Sequence, residues 1–168
     1  GGDEEVFEDV LRDYWGWSVT DFKRSLRQEL LAQKVASQLD TETSQQADAA
    51  LAEIKSGAKF EDVAKKYSED ERTKGSGGEL PGLIEQTDRD LSAKTTEALY
   101  KLKKGEVSDV VNTGYTLEIL KNLGSEGNKI RAAHILFQFK DITEYINDLK
   151  DENQARLLIS FPEQQPPQ

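Results

Sequence analysis

Residues 49–70 read Ala49-Ala-Leu-Ala-Glu-Ile-Lys-Ser-Gly-Ala-Lys-Phe-Glu-Asp-Val-Ala-Lys-Lys-Tyr-Ser-Glu-Asp70, two helical patterns back to back. Ala47, Ala50, Leu51, Ile54 and Ala58 mark the buried side of a helix opened by the polar stretch Asp40–Gln46. Gly57 suits the C-terminal cap of that helix. Phe60, Val63, Ala64 and Tyr67 recur at helical spacing and predict a second, shorter helix. From Ser68 to Leu83 the chain reads as a glycine-rich loop, with Gly75, Gly77, Gly78, Pro81 and Gly82. That loop lacks a Gly-Lys-Ser/Thr ending and follows a helix, which argues against a phosphate cradle.

Working outward, residues 92–102 predict a helix that ends at Gly105, followed by strand-like runs at Val107–Asn112 and Tyr115–Lys121. Gly124–Asn128 is a turn cluster, and Ile130–Phe139 is the strongest strand pattern in the chain. A helix over Thr143–Asn153, a short strand or docked segment over Arg156–Phe161, and a low-complexity, disordered tail over Pro162–Gln168 complete the C-terminal side. Upstream, Val6–Tyr14 predicts a short acidic helix. Ser18 and Asp21 form a capping-box pattern at the head of a long amphipathic helix, 18–39, striped by Phe22, Leu26, Leu30, Val35 and Leu39. Trp15 and Trp17 are expected to seat that helix against the rest of the chain, the alternative being an exposed client-binding patch. No internal repeat is evident.

The 168 residues bound the chain at one domain, or one domain with a helical appendage. With 22 Lys+Arg against 32 Asp+Glu, the net charge is −10 and the pI about 4.7. Such an acid excess excludes a basic stripe for nucleic acid. The absence of Cys removes disulfides, thiolate nucleophiles and Cys-ligated zinc, and a single His removes a His-rich metal site, so no cofactor is expected. No run approaches the length of a membrane span, and none reads as a signal peptide. Gly1-Gly2 and the absence of Met read as a scar at the head of a fragment, so that any membrane anchor would lie outside it.

Four segments in order resemble the parvulin-type peptidyl-prolyl isomerases: the helix pair of 49–70, Gly77-Gly-Glu-Leu-Pro-Gly82, Leu102-Lys-Lys-Gly-Glu-Val-Ser-Asp-Val-Val111, and Gly114-Tyr115. Trp15-Gly-Trp17 and the helix through Leu26–Leu39 resemble the helical chaperone segment that precedes parvulin domains in extracytoplasmic foldases. The family normally opens with a strand carrying His-Ile-Leu, and nothing in 38–46 matches it. His134-Ile135-Leu136 does match, after the final strand, which implies a circularly permuted parvulin. The expected fold is therefore α+β: a four-stranded antiparallel sheet with surrounding helices, its first family strand supplied by Ile130–Phe139. The expected divisions are an N-terminal helical segment, 1–42, a parvulin-like domain, 43–140, a C-terminal helix and docked segment, 141–161, and the tail. A second parvulin copy starting at 130 is disfavoured, because 140–168 lacks the helix pair. Exchange of the strand between two chains, giving a strand-swapped dimer, satisfies the same pattern.

The resemblance implies a prolyl isomerase acting on unfolded or proline-containing polypeptides outside the cytoplasm. Rotation of an X–Pro bond needs no nucleophile, only a site that holds the twisted amide better than either planar form. Asp70 matches the family's Cys-or-Asp position near the substrate carbonyl; the plainer alternative is a helix-end Asp in a turn. His134 matches the histidine that orders the site's hydrogen bonds, against a satisfied structural His. Thr116 stands where the second family histidine falls and could keep one hydrogen bond to His134, while Glu118 sits where an apolar residue is usual. Leu80, Leu83, Leu91 and Thr95 fall where the family lines its proline pocket, with Thr113 as a further binding position. Thr95 replaces a common Phe, and for the leucines ordinary core is the alternative. Thr95, Thr116 and Glu118 favour a second reading, a chaperone or peptide-binding module without useful catalysis. A third is a structural domain that reads a partner's proline-rich segment.

Overall fold

The computed structural model describes residues 3–152; the segment expected over 156–161 and the tail 162–168 lie outside the described residues. Strands β1 (Val111–Asn112), β2 (Thr116–Glu126) and β3 (Lys129–Gln138) form an antiparallel sheet in the order β1-β2-β3. Glu126 pairs with Lys129, leaving Gly127-Asn128 as a two-residue hairpin connection. Gly127 adopts φ +60°, which glycine reaches without strain. Gly124, expected in the turn, instead lies within β2 beside a register shift after Asn122.

Among the described residues the sheet has three strands where four were expected. The place beside β3 is taken by a discontinuous segment: Glu79 bridges to Ala133 and Ile84 to Ile130, with Leu80 N donating to Ala132 O at 2.9 Å. Regular pairing fails there because Gly78 and Gly82 take φ +85° and +78° and Pro81 has no N–H to give. The run Val107–Asn112 likewise shortens to its last two residues, with Val107 as an isolated bridge to Lys121. Between them a side chain interrupts the ladder, as Leu120 N donates to Ser108 Oγ at 2.9 Å.

Alternation along the hairpin divides the core in two. Leu117, Ile119, Ala133, Ile135 and Phe137 face one side and pack on α3 (Thr41–Lys55) and α4 (Phe60–Tyr67) through Ala47, Ala50, Leu51, Phe60, Val63 and Ala64. On the other side Leu120, Ile130 and Ala132 pack with Leu80, Ile84 and Leu99 of α6 (Ala93–Lys101). Each large side chain buried in this way contributes about 1.5–3 kcal/mol, so the period-2 pattern of β2 and β3 specifies the register strongly.

The N-terminal helices are less engaged. α1 (Glu4–Val10) passes through a π-helical turn, Leu11–Trp15, to Gly16, and α2 (Val19–Leu39) then begins at the Ser18–Asp21 capping box. Trp15 and Trp17 are 61% and 41% exposed, which overturns their expected role as seats for the helix. α3 starts at Asp40, a buried carboxylate that accepts from Thr43 N at 3.0 Å and Lys140 N at 2.9 Å. It thereby caps α3 and ties it to the chain leaving β3. α7 (Ile142–Glu152) packs against α2.

Candidate active site

The segment leaving α4 is stitched to the edge of β3 that faces away from β2. Glu69 N donates to Leu136 O at 2.8 Å, and Leu136 N donates to Ser68 Oγ at 3.2 Å. That stitching carries Asp70 over the strand at the point where His134 projects. The expected loop contains a helix here, α5 (Glu71–Lys74), capped by Asp70, whose Oδ1 accepts from Arg72 N at 3.1 Å. Asp70 Oδ2 accepts from Thr73 Oγ1 at 2.9 Å and lies 3.0 Å from His134 Nε2, while Thr73 Oγ1 is 3.2 Å from the same nitrogen. Exposure of the three is 8%, 3% and 4% for Asp70, Thr73 and His134, so the triangle is nearly dry.

The protons in this triangle are determined by the acceptors. Burial pushes the Asp70 carboxyl up, but hydrogen bonds from His134, Thr73 and Arg72 outweigh it and leave the pKa at about 2. An ionised Asp70 requires a hydrogen on His134 Nε2. Since Thr73 spends its own hydrogen on Asp70, its oxygen can only accept from that same Nε2–H. Nδ1 of His134 is buried with no partner among the described residues. The Arg72 guanidinium also reaches Asp70, at 3.2 Å, but is 89% exposed, so solvent screens most of its effect.

A second polar cluster lies on the same face of the hairpin. Glu118, 7% exposed, accepts from Thr95 Oγ1 at 2.9 Å and from Thr116 Oγ1 at 3.1 Å. Ser92, the N-cap of α6, stands 2.7 Å from Thr95 Oγ1, and Thr113 stands 2.9 Å from Thr116 Oγ1. Two pairs of hydroxyls thus converge on one carboxylate. Among the described residues no three His, Asp or Glu side chains gather as metal ligands.

The structure brings Asp70 and His134 together and adds Thr73, which the sequence reading missed; its one signal was a hydroxyl at the third position after a capping Asp. It corrects Thr116. In the strand register Thr116 faces Gln138, whereas His134 faces Leu120, four residues or about 13 Å further along β2. The Thr116 hydroxyl therefore serves Glu118 and Thr113 instead of His134. Thr95 and Thr113 belong to the Glu118 cluster. Leu80 and Leu91 share the apolar cluster with Leu120 and Leu99, and Leu83, outside that cluster, lines a shallow cleft with Leu80, Gly82, Glu126 and Arg131.

A sheet with a helix pair on one face and a buried Asp–Thr–His triangle on the other agrees with the parvulin-type rotamase domain that the sequence resembles. The sequence matches the rotamase family, the PPIC-type PPIase domain, over residues 30–123, more than half of the 168, and the chain belongs to that family. Similar curated proteins include the foldase protein PrsA of Geobacillus kaustophilus, 31% identical over 76% of this chain and 40% of its own length. Foldase protein PrsA 1 of Lactiplantibacillus plantarum is 33% identical over 66% of this chain and 37% of its own, and the Bacillus subtilis foldase PrsA 40% identical over 44% and 24%. The chain spans well under half the length of these relatives. A solved structure of the foldase PrsA from Streptococcus pneumoniae is 21% identical at a TM-score of 0.35, covering 92% of this chain and 64% of that one. No helix among the described residues is long and apolar enough to cross a membrane.

Proposed function

We propose that this chain is a peptidyl-prolyl cis-trans isomerase that assists the folding of polypeptides outside the cytoplasm. The observation that carries the reading is the ionised, nearly dry Asp70 held by Thr73 and His134. In a planar X–Pro amide, resonance places negative charge on the carbonyl oxygen and positive charge on nitrogen. Twisting the bond removes that polarisation, at a cost of about 20 kcal/mol. A preorganised anion near the oxygen disfavours the planar form more than the twisted one, which lowers the barrier without proton transfer. In this reading Asp70 supplies the field, Thr73 and His134 hold it in place, and Leu80, Leu91 and Thr113 line the approach. Residues 1–42 serve as a helical segment beside an isomerase domain of 43–140.

In the same reading β3 is the family's first strand, carried at the C-terminal side. Its support is the antiparallel pairing of β3 with β2 on one edge and the approach of Glu79 and Ile84 on the other. A second reading, a peptide-binding module with little catalysis, is favoured by the Thr95–Glu118 pair, which puts a hydrogen-bonded carboxylate where an apolar wall was expected. Exchange NMR on short X–Pro peptides with catalytic amounts of protein separates the two. The isomerase reading expects enhanced cis/trans exchange that falls at least tenfold in Asp70→Ala; shifted peptide resonances at the uncatalysed exchange rate would establish the binding module instead.

A further inference from the structure

We propose that Glu118 is a specificity-determining group of this site and that it selects polypeptides bearing Lys or Arg next to the proline. The proposal rests on the isomerase reading for its substrate and on separate observations for its chemistry. Glu118 is buried, and both of its oxygens are held by neutral hydroxyls, those of Thr95 and Thr116. Among the described residues no Lys, Arg or His forms an ion pair with it. A carboxylate taken out of water without a cation is costly, and hydroxyl donors compensate only part of that cost. The hydroxyls also orient it: each has one hydrogen, and those of Thr95 and Thr116 are committed to the carboxylate, so the charge is held ready in one geometry.

A second, independent feature points to a ligand on the same face. His134 Nδ1 is buried and has no partner among the described residues, while Nε2 on the other side of the ring lies against Asp70, so the ring keeps one polar atom that the protein itself leaves unused. In the register Glu118 faces Leu136 and Leu120 faces His134, so Glu118 and His134 are diagonal neighbours, about 7–8 Å apart along the backbone. Leu136, half-buried, lies between them on that face and is the apolar surface a ring would meet, Leu120 being fully buried beneath it. One proline with its flanking residue spans that distance. Asp70 adds a further negative charge, and the chain as a whole carries −10, so an acidic flanking residue is repelled by the same arrangement.

The test is an NMR titration with acetylated peptides that differ only in having Lys, Arg, Ala or Glu beside the proline, exchange being read in the same samples. We expect the Lys and Arg peptides to bind about tenfold more tightly than the Glu peptide. Glu118→Gln should bring that ratio close to one, and Glu118→Asp should keep most of it. Acetylating the peptide lysine removes its charge without touching the protein, and should abolish the advantage even if a Glu118 variant fails to fold. A wild-type ratio within about twofold, or a ratio unmoved by lysine acetylation, overturns the proposal. Cation-selective binding without any catalysed exchange would refute the isomerase reading and leave the proposal standing. Catalysed exchange equal for all peptides would do the reverse, and no binding at all would refute both.

Discussion

At position 78 a side chain as small as a methyl group collides with the strand that carries His134. A Cβ built there lies 2.2 Å from the His134 carbonyl oxygen, and the residue's φ of +85° is itself unfavourable for anything but glycine. Gly78→Ala should therefore cost several kcal/mol, with a melting temperature lowered by 10 °C or more, because the obstacle is backbone and cannot rotate away. Asp70 sets a different limit. Its folded pKa of about 2 lies below the ordinary 3.8, so its ionised form stabilises the fold above the unfolded value, and that contribution is lost as pH falls through the folded one. Denaturation midpoints should drop between about pH 4.5 and 2 by an amount equivalent to about 2 kcal/mol, and Asp70→Asn should flatten that part of the acid limb. Asp70 and His134 were legible as a pair of motif residues. Thr73 and the partners of Glu118 were not, because a hydroxyl's partner depends on where two strands and a helix end meet.

Asp40 is the clearest case of an element held by a residue outside the site. One carboxylate oxygen caps α3 through Thr43 N, and the other accepts from Lys140 N just beyond β3. Asp40→Ala leaves both donors without that acceptor and should destabilise the protein by about 2 kcal/mol in chemical denaturation, more than an ordinary cap. The helices were readable as elements, since their apolar spacing, capping residues and terminal glycines are local signals. The α5 helix was hidden inside the glycine-rich loop, being only one turn long and specified by the Asp70 cap. The missing fourth strand has a related cause. A run such as Glu79–Ile84 can satisfy an edge through scattered bonds, with Gly78, Pro81 and Gly82 preventing a ladder, and neither pattern nor propensity reveals that outcome.

At the scale of the molecule, the two apolar clusters on the faces of the hairpin draw their members from α3 onward, while α1 and α2 leave large apolar side chains in water. Trp15→Ala and Trp17→Ala should each shift the melting temperature by no more than a few degrees, because exposed positions typically contribute within 0.5 kcal/mol. A large loss in either would mean that these rings support the core after all. What the sequence by itself determined was the order of the longer elements and the two-faced hairpin, and it singled out Asp70 and His134 as motif residues, because period, caps and motifs are properties of short stretches. Only the tertiary structure decided that His134 faces Leu120, that Thr116 turns to Glu118, and that Thr73 closes the triangle. Those pairings follow from strand register and from the path of the chain leaving α4. Both are set by which apolar faces are buried together, a choice made by the whole core.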